Sequence, residues 1–198
     1  CQVLDLGANI DCSPEMLLQF AILGSALVRA ERGVSYPRLG LLNIGAEQTK
    51  GTDSLRLASA FLSKLQGVEY IGFVEGDDLF AGRADLVVCD GLIGNVALKS
   101  SEGLAHLIRQ KVSRSFKRSL YRRFLAFLAK PILKELEAEL DAGARNGAML
   151  IGLRGLVIKS HGSASVRDFG FAIDQTYHYI QAGVCSQLRE DVARHLQG

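Results

Sequence analysis

The sequence predicts an α/β fold: a parallel or mixed sheet with helices on both faces, in one domain covering residues 1–198. Three observations predict it. Short aliphatic runs, each followed by a glycine-bearing loop and then helical spacing, recur along the chain. One of them, Leu86 to Cys89, is continuously apolar, as a parallel strand buried on both faces requires. At 198 residues and 48% hydrophobic, the chain can bury one full core. No fixed-period repeat and no low-complexity linker interrupts the pattern.

The elements follow in order. Val3 to Leu6 reads as the first strand and Gly7-Ala8-Asn9 as its loop. Ser13 is placed to cap a helix, with Pro14 at its first position and Glu15 in its first turn. Leu17, Phe20, Leu23, Gly24 and Leu27 give that helix an apolar face, and Gly33 stops it. Leu39 to Ile44 is the second strand, feeding a polar loop to Gly51; a helix follows from about Asp53 to Leu65. Val68 to Val74 is the third strand, with a short helical turn near Asp77 to Ala81. Leu86 to Cys89 is the fourth. Past it, Gly91 and Gly94 free the backbone to turn, and a helix begins near Asn95 with its unpaired N–H groups facing the sheet edge. Leu156 to Lys159 is a fifth strand, and Val166 to about Leu196 is mostly helix.

One irregularity stands between the fourth and fifth strands: a helical protrusion at about residues 104–145. Ile108, Val112, Phe116 and Leu120 recur there at every fourth position. Two helices are expected, joined near Ser113 to Ser119, with Pro131 bending or restarting the second. Nine of the 23 Lys and Arg residues lie between Glu102 and Glu135, where no acid occurs. The rest of the chain sets all 21 acids against 14 bases, so a net charge of +2 hides an acidic body and a basic segment suited to an anionic partner.

Several classes are excluded or disfavoured. No apolar run is long enough to cross a bilayer, and no basic-then-apolar leader is visible. The chain begins at Cys1, without a Met, and is expected to be a fragment of a longer protein. Cys1, Cys12, Cys89 and Cys185 are scattered without a C-x-x-C pair, as in a reduced, cytoplasmic protein. Dinucleotide, P-loop, nucleophile-elbow and H-E-x-x-H signatures are absent, and so is metal-ligand spacing; no cofactor or metal is expected. The basic helices carry no recognised nucleic-acid-reading motif, so no nucleic-acid partner is expected.

In such folds ligands gather beyond the carboxyl ends of the strands. Asp5, Gly7 and Asn9 follow the first strand; Asn43, Gly45, Lys50 and Gly51 the second. Asp90, Gly91, Gly94, Asn95 and Lys99 follow the fourth; Lys159, His161 and Gly162 the last. Cations and backbone amides at one sheet edge describe an oxyanion site, most naturally for phosphate. Each residue also has a plainer reading: Asp5 and Asp90 as loop holders, Lys50 as a solvated lysine, His161 as a loop histidine.

Five ordered motifs then carry a resemblance. They are Val3-Leu4-Asp5-Leu6-Gly7-Ala8-Asn9; Leu42-Asn43-Ile44-Gly45 with Lys50-Gly51; Cys89-Asp90-Gly91 with Gly94-Asn95-Val96; Asn146-Gly147-Ala148; and Val157-Ile158-Lys159-Ser160-His161-Gly162. Together they resemble the PlsX family of bacterial phosphate acyltransferases over essentially the whole chain. The resemblance implies a fold similar to the isocitrate and isopropylmalate dehydrogenases. It implies an enzyme that converts long-chain acyl–acyl-carrier-protein and inorganic phosphate into acyl phosphate, in phospholipid biosynthesis. It further implies a homodimer that is cytoplasmic and touches the membrane through the protrusion. The family's N-terminal Met-Gly-Gly-Asp and Gly-Asn-Thr-Gly motifs are not in this chain, which places it as the C-terminal part of such an enzyme.

Carried onto this sequence, the resemblance makes Lys50 and Asn95 the catalytic pair; His161 is a third candidate, to which the chemistry, not the resemblance, assigns the passing of a proton to the leaving thiol. Asp5, Gly7, Asn9, Asn43, Gly45, Gly51, Asp90, Gly91, Gly94, Lys99, Asn146, Lys159 and Gly162 form the phosphate and substrate surround. The chemistry agrees: phosphate is the nucleophile, so the protein must hold a dianion beside a thioester carbonyl and stabilise the oxyanion that forms. Arg122 and Arg123 would meet anionic headgroups while Phe124, Leu125, Phe127 and Leu128 enter the interface. The acidic carrier protein could dock on the same basic segment. Two other functions stay open: a phosphotransacetylase-like enzyme using acyl-CoA, and a non-catalytic membrane-binding module.

Overall fold

A computed structural model describes residues 1–139 and 146–196, which divide into two compact units. The first comprises Cys1–Ala97, Leu150–Val157 and Tyr177–Gly198; the second comprises Leu98–Met149 and Ile158–Thr176.

The first unit is built on four parallel strands: β1 (Gln2–Leu4), β2 (Arg38–Leu42), β3 (Glu69–Val74) and β4 (Leu86–Val88). Their spatial order is β1-β4-β2-β3, with Val3 opposite Val87, Leu41 opposite Val88 and Leu42 opposite Val74. Side chains alternate between the two faces, as the period of two demands. Leu4, Leu39, Leu41, Phe73, Leu86 and Val88 enter one hydrophobic cluster. Val3, Leu42, Val74, Val87 and Cys89 enter the other.

Two helices cover the first face, α1 (Pro14–Arg32) and α2 (Asp53–Leu62). Ser13 caps α1 as expected, its hydroxyl accepting the Met16 N–H at 3.3 Å, and Gly33 ends it by donating to Arg29 O at 2.9 Å. Leu17, Ala21 and Val28 are buried beneath it. Thr52 caps α2, accepting from Leu55 N at 3.2 Å. On the opposite face the one helical contribution to the cluster, among the described residues, is Leu79 of the short α3 (Asp78–Ala81). Helices on both faces were expected; the long ones found in this unit's core line one face. The amino ends of the two central strands are tied by Arg38, at the start of β2, whose guanidinium donates to both oxygens of Asp85, just before β4, at 2.9 and 3.0 Å.

α4 (Gly91–Lys117) starts in the first unit, and its later residues belong to the second. The second unit also holds α5 (Leu120–Leu128) and α6 (Lys130–Glu139), which carries Pro131 at its start. Ser119 caps α5 through the Arg122 N–H at 3.2 Å. The join expected near Ser113 to Ser119 is confined to Arg118 and Ser119, since Ser113 to Lys117 remain in α4, and the helix resumes at Lys130, beside the expected restart at Pro131. Residues 140–145 of the expected protrusion lie outside the described residues.

The fifth strand differs from expectation. β6 (Ile158–Lys159) does not extend the parallel sheet; it pairs antiparallel with β5 (Ala148–Met149), a strand the sequence reading did not contain. A short turn closed by Leu150 N–H to Val157 O at 2.9 Å doubles the chain back, and a connection so short can only join antiparallel strands. The terminal helical region is two helices, α7 (Val166–Gln181) and α8 (Val184–Leu196), with Gly183 between them. In the first unit Asp191 of α8 accepts from Arg29 of α1 at 2.6 Å, and Arg29 also donates to Gly67 O at 2.7 Å.

Candidate active site

Three loops leave the carboxyl ends of β1, β4 and β2, which are consecutive in the sheet. The β1 loop is folded around Asp5. This carboxylate is 4% exposed and accepts from the backbone N–H groups of Gly7, Ala8 and Asn9 and from Asn9 Nδ2, all at 2.8–2.9 Å. Burial alone would raise its pKa, but the four donors together outweigh it and hold it below the usual carboxylate value. Asp5 is thus the organiser of its loop, its oxygens already engaged.

The β4 loop is shorter than expected. α4 begins at Gly91, four residues before the anticipated start, so Gly91 and Gly94 lie in its first turn. Their role is close approach, not a flexible turn. A Cβ on Gly94 would run into the Asp5 carbonyl, and one on Gly91 would stand 2.9 Å from Gly7 N. The expectation of open N–H groups at this helix start is also corrected. Gly91 N–H donates to Asn9 O at 2.8 Å, Ile93 N–H to Asp90 Oδ1 at 2.8 Å, and Gly94 N–H to Asp90 O at 3.0 Å. Asp90 is the cap of α4, and three of the first amides are spent on the fold.

What this close packing leaves at the rim is Asn95. Its side chain lies against the bare Cα of Gly7 and is partly exposed; among the described residues its amide has no hydrogen-bond partner. Neighbouring Cys89 is the opposite case. Its thiol is buried and pushed up to about 12 by burial and by the nearby Asp90 and Asp5 charges, so it is no thiolate nucleophile.

The β2 loop presents Lys50. Asn43 is buried at the strand end; its amide donates to Lys50 O at 3.2 Å and accepts from Ile44 N at 2.9 Å. This pins the backbone at Lys50 and Gly51. The ammonium of Lys50 sits 2.9 Å from Glu47 Oε2, with the two side chains 47% and 61% exposed. Glu47 was not among the expected site residues, although its spacing of three from Lys50 was readable. Gly45 is buried, and the Lys50 stem occupies the space its Cβ would fill.

The remaining candidates belong to the second unit. Buried Asn146 donates to Ser160 Oγ at 2.8 Å and Asp168 O at 2.9 Å and accepts from His161 N at 2.8 Å, so its amide holds the loop after β6. His161 Nδ1 accepts the Ser163 N–H at 3.2 Å, which places the ring proton on Nε2, 3.9 Å from Glu102 Oε1. Lys99, Lys159 and Gly162 are exposed. Since β6 is not a strand of the parallel sheet, the rim of that sheet gathers Asp5, Gly7, Asn9, Asn43, Gly45, Lys50, Gly51, Asp90, Gly91, Gly94 and Asn95. Lys159, His161 and Gly162 follow a different ladder.

On the helical segment, α5 buries none of its side chains. Phe124 is 58% and Phe127 70% exposed, and Leu125 and Leu128 are exposed beside them. Among the described residues no helix is long and apolar enough to cross a membrane, and no cluster of His, Cys, Asp and Glu could hold a metal ion.

A parallel α/β sheet with polar loops at its carboxyl rim is a frame shared by many enzymes. The comparison with known proteins narrows it: the family described as "Fatty acid synthesis protein" matches residues 2–187, and the chain belongs to it. Similar relatives include the "Phosphate acyltransferase" of Pseudomonas savastanoi pv. phaseolicola, 48% identical over 198 residues, covering all of this chain. The proteins of the same name from Pseudomonas fluorescens and Pseudomonas putida are 49% identical over 199 residues and 50% identical over 188. The chain spans 56% of the length of each of these relatives.

Proposed function

We propose that the protein carrying this chain is a phosphate acyltransferase that makes acyl phosphate from long-chain acyl–acyl-carrier-protein and inorganic phosphate. Family membership and relatives of that name support the reading. The observation that carries it to particular residues is the presence at one rim of a half-exposed ammonium, Lys50, and of an amide, Asn95, with no hydrogen-bond partner among the described residues.

In this reading Lys50 neutralises the phosphate dianion. A phosphate oxygen attacks the thioester carbonyl carbon, the C–S bond breaks, and the carrier thiol leaves with a proton. Asn95 donates to the carbonyl oxygen as it becomes an oxyanion, a role worth about two to three orders of magnitude where such donors are removed. No covalent enzyme intermediate is required, which fits the buried, protonated Cys89. His161 is the candidate donor to the leaving thiolate in its imidazolium form, which keeps Nδ1–H on Ser163 Oγ at 2.8 Å and gives up the Nε2 proton. Asn146, Lys159 and Gly162 support that loop.

The same proposal extends to the chain's surroundings. The fold is of the isocitrate and isopropylmalate dehydrogenase type with a helical hairpin, working as a cytoplasmic homodimer. α5, with Arg122 and Arg123 beside exposed Phe124, Leu125, Phe127 and Leu128, docks peripherally on anionic lipid. The deciding experiment is phosphate-dependent release of thiol, run with acyl–acyl-carrier-protein and with acyl-CoA. Turnover of the carrier-bound donor is expected; turnover of acyl-CoA alone would assign a phosphotransacetylase, and none with either donor would leave a membrane-binding role.

A further inference from the structure

The Lys50 ammonium is not waiting free for an anion. It is paired with Glu47, two exposed groups on one loop, 2.9 Å apart. Backbone geometry enforces the meeting: Lys50 N–H donates to Glu47 O at 3.1 Å, closing a turn, and Asn43 holds Lys50 O from below. Gly45 completes the seat. A side chain there would displace both partners, since its Cβ would stand 2.7 Å from Glu47 Oε2 and 2.9 Å from Lys50 Nζ.

We propose that Glu47 occupies the place of the phosphate on Lys50 and must be displaced before phosphate binds, so that Glu47 sets the phosphate affinity of the site. The inference rests on the reading of Lys50 as the phosphate-binding cation. A carboxylate and a phosphate oxygen present the same acceptor to an ammonium, and one ammonium at contact distance serves one of them at full strength. The hydrogen bond from Lys50 also holds the Glu47 carboxyl below its usual range, so the competitor is charged at neutral pH. Both side chains are solvated, so the pair is weak enough to open. A rigid, buried pair would have closed the site permanently.

The test is a titration with inorganic phosphate, read by 31P NMR, on the intact enzyme and on Glu47→Gln, Lys50→Ala and the double variant. Steady-state phosphate KM and kcat are measured beside it. Glu47→Gln is expected to tighten phosphate binding and lower its KM by roughly two- to fivefold, the range of an exposed ion pair, with kcat little changed. Lys50→Ala should lose binding, and adding Glu47→Gln to it should restore nothing. Asp53→Asn removes a nearby carboxylate that pairs with Arg56 instead and should leave phosphate affinity unchanged. An unchanged or weaker affinity in Glu47→Gln, or equal tightening in Asp53→Asn, overturns the role of Glu47. Wild-type phosphate affinity in Lys50→Ala overturns the underlying reading of Lys50 itself.

Discussion

The side chain of Asn95 lies over Gly7: a Cβ on Gly7 would stand 3.4 Å from Asn95 Cβ and 3.5 Å from its Cγ. Gly7 also has φ +120°, a region that other residues rarely enter. The β1 loop is therefore shaped so that the first turns of α4 can press against it and carry Asn95 to the rim. Gly7→Ala is expected to cost about 1–3 kcal/mol in chemical denaturation, from backbone strain at that φ, since the added methyl group would make only ordinary contact with Asn95. Retention of full stability would show that the loop relaxes around an added methyl group.

Gly94→Ala should be the more damaging change, because it drives a methyl group into the Asp5 backbone carbonyl and towards Cys89 Sγ. The Asp5 backbone on one side and the buried Cys89 side chain on the other leave little to give. A loss of about 3 kcal/mol or more, or failure to fold, is expected in the same assay. A near-wild-type midpoint would mean that α4 can shift away from the loop without cost.

Acid should loosen the β1 loop. Asp5 has a folded-state pKa below its unfolded value, so its contribution to stability is complete above the unfolded value near 3.8. It is lost as pH falls through the depressed folded value. Asp85, held down first of all by the hydrogen bond from Arg38, acts in the same window. Asp5→Asn removes a buried charged acceptor from three loop N–H groups and should cost about 1–3 kcal/mol at neutral pH while flattening stability below about pH 4. An unaltered acid limb in the variant would show that other carboxylates set it.

At the site, Lys50→Ala and Asn95→Ala should each lower turnover by about two to three orders of magnitude with the far-UV spectrum unchanged. Neither side chain is buried, so the fold does not depend on it. Near-normal turnover in either variant removes that residue from the chemistry.

For the helical segment, replacing Arg122 and Arg123 by Glu should weaken co-sedimentation with anionic vesicles by roughly fivefold or more per residue, and salt should weaken the wild type similarly. Phe124→Ser with Phe127→Ser should weaken it at every salt concentration, because in the proposed docking mode these exposed rings, rather than charge, enter the interface. Binding unchanged in both variants would assign the exposed face of α5 to a protein partner.

Local chemistry written in the chain was enough for much of this molecule. Ser13, Pro14 and Gly33 delimit α1 because capping and stopping involve only near neighbours in sequence, and the four aliphatic runs were readable as strands because each is short and apolar, β4 being buried along its whole length. The rim residues after β1, β2 and β4 were readable for the same reason. Contacts between distant segments decided the rest. α4 starts at Gly91 because Asn9 and Asp5, over eighty residues away, supply its acceptor and its packing surface. β6 joins β5 because the chain doubles back there, and Asn146 is spent on Ser160 and His161 across that fold. Whether a polar group is engaged or left facing solvent depends on which partners the fold delivers, and that is why Asp5 turned inward while Asn95 stayed open.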